Sequence, residues 1–200
     1  MKIFIATKNL KKLAELERIL IPMGFDVVSE RDLENEIPEV EETGTTFEEN
    51  ALLKARSGLK ATGLITVADD SGLCVDALGG APGVYSARYS DPDATDQKNI
   101  EKLLLNLKDV ENDKRTAKFE CCIACVFPSG NYFTVSGECN GYISKTPHGN
   151  NGFGYDPVFI SEKGCFAELT KDEKDAVSHR GKALEKFKTK IISEIKKENK

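Results

Sequence analysis

Only two histidines, His148 and His179, occur in the 200 residues. No Gly-x-Ser-x-Gly elbow accompanies them, so a Ser/His/Asp triad and acyl transfer are not expected. Long apolar runs are missing as well, and no stretch approaches the ~20 residues that a membrane-spanning helix needs. The apolar start, residues 1–6 with one lysine, is too short for the core of a signal peptide. Positive charge is in deficit, with 28 Lys and Arg against 33 Asp and Glu and a net charge of −5. A general binder of nucleic acid or of a membrane surface would need the opposite field, so neither partner is expected. A small polyanion stays open, because it needs only a local group of Lys and Arg. Cysteine is too sparse for a secreted disulfide scaffold, with six at 74, 121, 122, 125, 139 and 165. A reducing cytoplasm follows as the expected location. Cys122 and Cys125 form a C-x-x-C inside the apolar, strand-forming run 119–127, without the second pair that zinc would want. Buried, reduced thiols are expected there.

What is present is a mixed α/β pattern in which 40 % of residues are hydrophobic, enough to bury the core of one domain or of two tightly joined lobes. Residues 2–6 predict a strand buried on both faces. An amphipathic helix follows with Leu10, Leu13, Leu16 and Leu20 on one face, ended by Pro22 and Gly24. Residues 26–29 predict a second strand. Beyond an acidic loop, Thr46 and Glu49 have capping-box spacing and open a helix over 47 to about 60. A strand over 64–68 leads into Asp69-Asp70-Ser71-Gly72, and residues 70–92 are expected as a long ordered loop, which in compact domains tends to be functional. A helix over about 95–107 would bury Ile100, Leu103, Leu104 and Leu107. Runs 116–127 and 131–139 flank Pro128-Ser129-Gly130 as a hairpin, which 142–144 would extend. A Gly/Pro loop at 147–157, a strand at 158–160 and a last helix complete the pattern. Ser178 is the expected N-cap of that helix, which carries Leu184, Phe187, Ile191 and Ile195 at helical spacing.

Four polar clusters fall at element junctions. Thr7-Lys8-Asn9 with Lys11 and Lys12 lies between the first strand and helix, where free N–H groups and a positive dipole end suit phosphate oxygens. The pattern is not a P-loop. Glu39, Glu41 and Glu42 precede the second helix, which itself carries Glu49, Asn50 and Lys54. Asp69 and Asp70 are adjacent carboxylates placed at a strand end; ionising both needs a cation or donors, and oxygen-only ligands suit Mg²⁺ better than zinc. The pentapeptide 68–72 alone equally allows a solvated turn. Ser178-His179-Arg180, with Lys174 one turn upstream, sets two basic side chains at a helix start, against the dipole unless an anion is near. Phe153-Gly154-Tyr155-Asp156 could add a stacking ring and a carboxylate for base N–H groups, or be a hydrophobic turn. Phosphate donors, metal carboxylates, an aromatic shelf and a cationic helix start together are what nucleotide phosphate chemistry needs.

On six ordered matches between residue 3 and about 190, the chain resembles the inosine triphosphate pyrophosphatases, also called dITP/XTP pyrophosphatases. These are I-A-T-K-N-L-K-K at 5–12, E-T-G-T-T-F-E-E-N-A at 42–51, A-D-D-S-G-L at 68–73, A-L-G-G-A-P-G-V-Y-S-A-R-Y at 77–89, G-F-G-Y-D-P-V-F at 152–159 and S-H-R-G-K-A-L at 178–184. The resemblance implies one pyrophosphatase domain over 1–200, built on an elongated mixed β-sheet with helices on both sides and two α/β lobes flanking a nucleotide cleft. It implies a homodimer that needs Mg²⁺ and splits ITP, dITP and XTP into monophosphate and pyrophosphate, cleansing the nucleotide pool. Carried over by motif, Thr7, Lys8, Asn9, Leu10, Lys11, Lys12 and Lys54 contact the triphosphate, with Ser71 beside it. Asp70 is general base or metal ligand, and Asp69 and Asp70 could divide those duties. Phe153, Gly154, Tyr155, Asp156, Lys174, His179 and Arg180 hold the base and nearby phosphates. Glu42 fits the E-T-G motif as the further metal ligand, while Glu39 follows the proline as in some relatives. Where some members have a substrate-facing lysine, the matching residue is Ala87, with Arg88 beside it. A nucleotide-binding sensor on the same fold, or a pyrophosphatase for modified pyrimidine nucleotides, is the alternative.

Overall fold

Ile3, Phe4 and Ile5 are entirely buried in a short strand, β1 (Lys2–Ile5). It pairs in parallel with β2 (Asp26–Val28) and with β3 (Ile65–Val75), so that Phe4 stands opposite both Val28 and Thr66. A strand covered on both faces needs an unbroken apolar run, which the 3–5 segment supplies. The structure, a computed structural model, describes residues 1–34, 37–38 and 40–198. Among these the strands form one mixed sheet of seven, ordered β2-β1-β3-β4-β5-β6-β7, with helices on both sides. The remaining strands are β4 (Thr116–Val126), β5 (Tyr132–Ile143), β6 (Phe159–Ser161) and β7 (Gly164–Cys165); β5–β6 and β6–β7 pair antiparallel. The turn between β4 and β5 closes with Phe127 N–H donating to Asn131 O and Gly130 N–H to Phe127 O.

The chain divides into two units. The first comprises residues 1–70, 122–136 and the chain from 183; the second comprises 71–121 and 137–182. In the first, α1 (Leu10–Leu20) starts at Asn9, whose side chain accepts the N–H groups of Lys11 and Lys12, and buries Leu13, Leu16 and Leu20. Leu10 departs from expectation. As the first helical residue it is 61 % exposed, and the buried stripe begins a turn later. Next comes α2 (Phe47–Thr62), opened by the reciprocal Thr46/Glu49 capping box and ended by Gly63 at φ 68°. Phe133 and Phe187 pack with ring centroids 5.5 Å apart in the same unit.

In the second unit, α3 (Asp96–Asn106) packs Ile100 and Leu103 into a core with Leu73, Val75, Phe119, Tyr155, Phe159 and Phe166. Leu104, expected in that core, is only half-buried against it. A helix the sequence reading did not anticipate, α4 (Lys171–Val177), begins with a second capping box, Thr170/Glu173. Ser178 then caps α5 (His179–Glu198), its hydroxyl accepting the Gly181 N–H at 3.0 Å. Ile195, on the stripe of α5, is half-buried.

Two strand boundaries also differ from expectation. Residues 142–143 belong to β5 itself, and β3 does not stop at the aspartate pair. Asp69 and Asp70 are the fifth and sixth of its 11 residues. The strand continues because Leu73 and Val75, at alternate positions, are fully buried in the second unit's core. Two 3₁₀ turns, Asp76–Leu78 and Gly83–Arg88, order the segment expected as loop.

Candidate active site

Successive residues of a strand project to opposite faces, and β3 uses this to separate its two carboxylates. Asp69 takes Lys12 of α1, Nζ to Oδ2 3.0 Å. Asp70 takes Lys54 of α2, Nζ to Oδ1 2.8 Å, and accepts from Asn50 Nδ2 at 3.3 Å. Each carboxylate therefore has its own lysine, and the repulsion anticipated for the adjacent pair is relieved by strand geometry as well as by cations. The two do not converge on a single point.

Convergence occurs instead at Lys54. Its Nζ lies 2.8 Å from Glu42 Oε1 as well as 2.8 Å from Asp70 Oδ1. Asn50 is completely buried within α2 and couples the two acids. Its Oδ1 accepts the Gly44 N–H at 2.8 Å, seating the loop that carries Glu42, while its amide donates to Asp70. A Cβ at Gly44 would stand 2.6 Å from that same Oδ1, so the approach requires glycine. Burial pushes the Asp70 carboxyl above its ordinary value, with the Lys54 ammonium pulling the other way. For Lys54, burial lowers the pKa, but the carboxylates of Asp70, Asp69 and Glu42 outweigh it and hold the ammonium above its usual value.

At the turn before α1, Thr7 Oγ1 accepts the Asn9 N–H, and Lys8, Asn9 and Lys11 are exposed. Glu39 lies outside the described residues. Among those residues, no three His, Cys, Asp or Glu side chains gather into a metal-binding group.

The second unit holds the remaining expected residues. Arg180 Nη2 donates to Ser71 Oγ at 2.8 Å, and its guanidinium lies 5.8 Å from the Phe153 ring centroid. Lys174 pairs with Asp156 and stands over the rings of Phe153 (5.1 Å) and Phe166 (5.4 Å). Asp156 Oδ2 also accepts the Phe153 N–H at 2.8 Å, and the Gly154 N–H goes to Asp96 Oδ2 at 2.8 Å. His179 is buried and stacks on Phe119 with centroids 4.7 Å apart. Tyr155 is a core residue, its hydroxyl donating to Ser86 O at 2.9 Å. Arg88 lies over Tyr85, 5.2 Å from its centroid.

The sequence profile of the Ham1 family matches residues 3–190. The chain belongs to the Ham1 family. Among curated relatives, the dITP/XTP pyrophosphatase of Shigella flexneri is 52% identical over 187 residues, covering 92% of this chain and 94% of that protein. The dITP/XTP pyrophosphatase of Bacillus subtilis (strain 168) is 50% identical over 185 residues, covering 92% and 93%. Among solved structures, a HAM1 protein from Coxiella burnetii superposes with a TM-score of 0.88 at 41% identity, covering 96% of this chain and 99% of that one. The nucleoside-triphosphatase / dITP/XTP pyrophosphatase of Mycobacterium abscessus gives 0.78 at 50% identity, covering 94% and 97%.

For this Ham1 chain, Asn50 belonged to the expected cluster on the second helix but had no role assigned, and Asp96 was missing from the expected set. Asn50 carried a legible signal, a fully polar amide on the buried stripe of α2. Asp96 carried none, because its partner Gly154 lies 58 residues away.

Proposed function

We propose that residues 1–200 form one pyrophosphatase domain that hydrolyses ITP, dITP and XTP to the monophosphate and pyrophosphate, so removing them from the nucleotide pool. The observation that carries this is the Lys54 ammonium seated between Glu42 and Asp70, in a chain half identical to dITP/XTP pyrophosphatases. Two carboxylate oxygens that meet around one cation are a hard-cation donor pair. Mg²⁺ characteristically takes one or two carboxylates and completes its shell with water and substrate phosphate. Glu42 and Asp70 are the residues that would hold it, and bound Mg²⁺ would supply charge neutralisation along the phosphate chain.

Within the first unit, Lys12 and Lys54 offset negative charge on the phosphates, with the exposed α1 turn adding its donors. Asp70 accepts the proton of the attacking water; oxygen–phosphorus bonding forms at the α-phosphorus while the α–β anhydride bond breaks and pyrophosphate departs. Within the second unit, Phe153 stacks on the purine ring, and Arg180, Lys174 and Asp156 serve its edges. The Phe153 and Gly154 N–H groups already donate to carboxylates, so selection of a 6-keto oxygen falls to side-chain donors such as Arg180. Adenine presents an amino group there, and two facing donors cost roughly 1–3 kcal/mol. A homodimer working in the cytoplasm completes the proposal.

The test is incubation with Mg²⁺ and each of ITP, XTP, GTP, ATP and dUTP, with products resolved by ion-exchange chromatography. Pyrophosphate from ITP and XTP, stopped by EDTA without change in far-ultraviolet circular dichroism, is the expected result. Orthophosphate plus diphosphate would overturn the cleavage site. Binding without release would make the chain a sensor, and preference for dUTP would make it a pyrimidine enzyme.

A further inference from the structure

The loop at 153–156, to which the proposed function assigns purine recognition, is closed on itself by short hydrogen bonds and fastened to its unit from outside. Gly154 sits at φ +59° with open space where a Cβ would be, a conformation only glycine adopts freely. Internally, the Phe153 N–H to Asp156 bond spans three residues. The Asp156 N–H also donates back to Phe153 O at 3.2 Å; of the ties that reach the loop from outside, two lead to α3.

The direct tie is the Asp96 carboxylate on the Gly154 N–H, 2.8 Å. The other runs through a buried relay. Tyr155 OH donates to Ser86 O, and Asn99, one turn after Asp96 on α3, donates its amide to the same carbonyl at 3.4 Å and to Ala87 O at 3.1 Å. Asn99 Oδ1 in turn accepts from Ser90 N–H and Oγ–H, at 2.8 and 2.7 Å. Ser86 Oγ takes the Leu73 N–H of β3 at 2.9 Å. Helix α3 thus fastens the loop at two successive residues, Gly154 from the helix start and Tyr155 through the 83–90 turn.

We propose that Asp96 is a positioning residue for purine selection, fixing through the Gly154 N–H the loop that presents Phe153 and Asp156. This rests on the proposed function for the meaning of the loop, though not for the tether itself. An aspartate in the first turn of a helix also complements the dipole, which is the purely structural role to be distinguished. Thr95 provides the control. Its hydroxyl caps α3 by accepting the Lys98 N–H at 3.2 Å and, among the described residues, makes no bond to the loop.

Three variants separate the roles: Asp96→Ala, Asp96→Asn, which keeps an acceptor oxygen, and Thr95→Ala. Steady-state kinetics with ITP and ATP should show Asp96→Ala lowering the ITP-over-ATP preference in kcat/KM about tenfold, the scale of one lost hydrogen bond. The change should appear in KM, with kcat for ITP held within about twofold, as expected for lost binding rather than lost chemistry. Asp96→Asn should restore the preference to within about twofold, and Thr95→Ala should lower the melting temperature while leaving the preference alone. Independently of turnover, amide hydrogen exchange at Gly154 should accelerate about tenfold in Asp96→Ala and not in Thr95→Ala. An unchanged preference in active Asp96→Ala, or equal effects of Asp96→Ala and Thr95→Ala, would overturn the inference. Wild-type protein that cleaves neither nucleotide would defeat the proposed function, while Gly154 exchange would still decide whether the tether exists.

Discussion

Asp70 is buried beside a lysine and an asparagine that each donate to it, and the consequences of changing it can be stated separately for fold and for rate. Asparagine has the same shape and keeps an oxygen for Lys54, but it neither accepts a proton nor binds a cation strongly. Asp70→Asn is expected to lower kcat for ITP by about 10²–10⁴-fold, the usual scale of general-base assistance, with an unaltered circular dichroism spectrum. Turnover near the wild-type rate would remove Asp70 from the mechanism. Its candidacy was legible from residues 68–72, since an adjacent acid pair in an apolar context is costly. Its partners were not, because Asn50 and Lys54 reach it from 20 and 16 residues away.

Elements are where local pattern spoke most clearly. The Thr46/Glu49 and Thr170/Glu173 capping boxes are the same four-residue signal, the first opening an expected helix and the second an unexpected one. Backbone and hydroxyl donors of Thr45 and Thr46 hold the exposed Glu49 carboxyl below its ordinary 4.5, and those of Thr170 do the same for Glu173. A carboxyl more acidic in the folded chain stabilises it fully above the unfolded value and stops doing so as pH falls through the folded one. Thr46→Ala, which removes the cap on the Glu49 N–H, should cost about 1 kcal/mol at pH 7 by urea unfolding; Thr45→Ala, which removes the hydroxyl that donates to the Glu49 carboxylate at 3.0 Å, should destabilise by a margin that shrinks below pH 4.5. Constancy down to pH 3 would assign the effect elsewhere. Packing between elements gives a second expectation at Gly58 of α2, where a Cβ would meet Thr66 Cγ2 at 2.8 Å and the Phe4 ring at 2.9 Å. Alanine would gain about 1 kcal/mol of helix propensity and lose about 1–3 to crowding. The urea midpoint of Gly58→Ala should fall; a rise would show that the helix can move away at little cost. Capping-box spacing located α2 but could not reveal that its glycine faces a phenylalanine of β1.

For the molecule as a whole, thiol chemistry reports how completely the sheet is enclosed. All six cysteines are free, and five are buried; Cys122 and Cys125 sit within β4. Cys74 is half-buried, and burial, then Glu120 and Asp76, push its thiol up to about 11 despite Lys118 nearby. Thiolate is the reactive form, so native protein at pH 8 should release less than one equivalent of thionitrobenzoate in minutes, and six after guanidinium. Prompt reaction of two or more native thiols would contradict the enclosed sheet. No helix of the described residues is long and apolar enough to cross a membrane.

The sequence by itself determined the alternation of strands and helices, the Ser178 cap, the hairpin at 128–130 and, through six ordered motifs, the family. All of these depend on residues near one another in the chain or on pattern alone. Tertiary structure alone decided that β3 runs past its aspartates, that Asp69 and Asp70 part to separate lysines, and that Tyr155 belongs to the core. It alone brought Asp96 to Gly154. Those outcomes follow from which faces become buried when distant segments pack, and burial energy is a property of the assembled surfaces rather than of any short stretch.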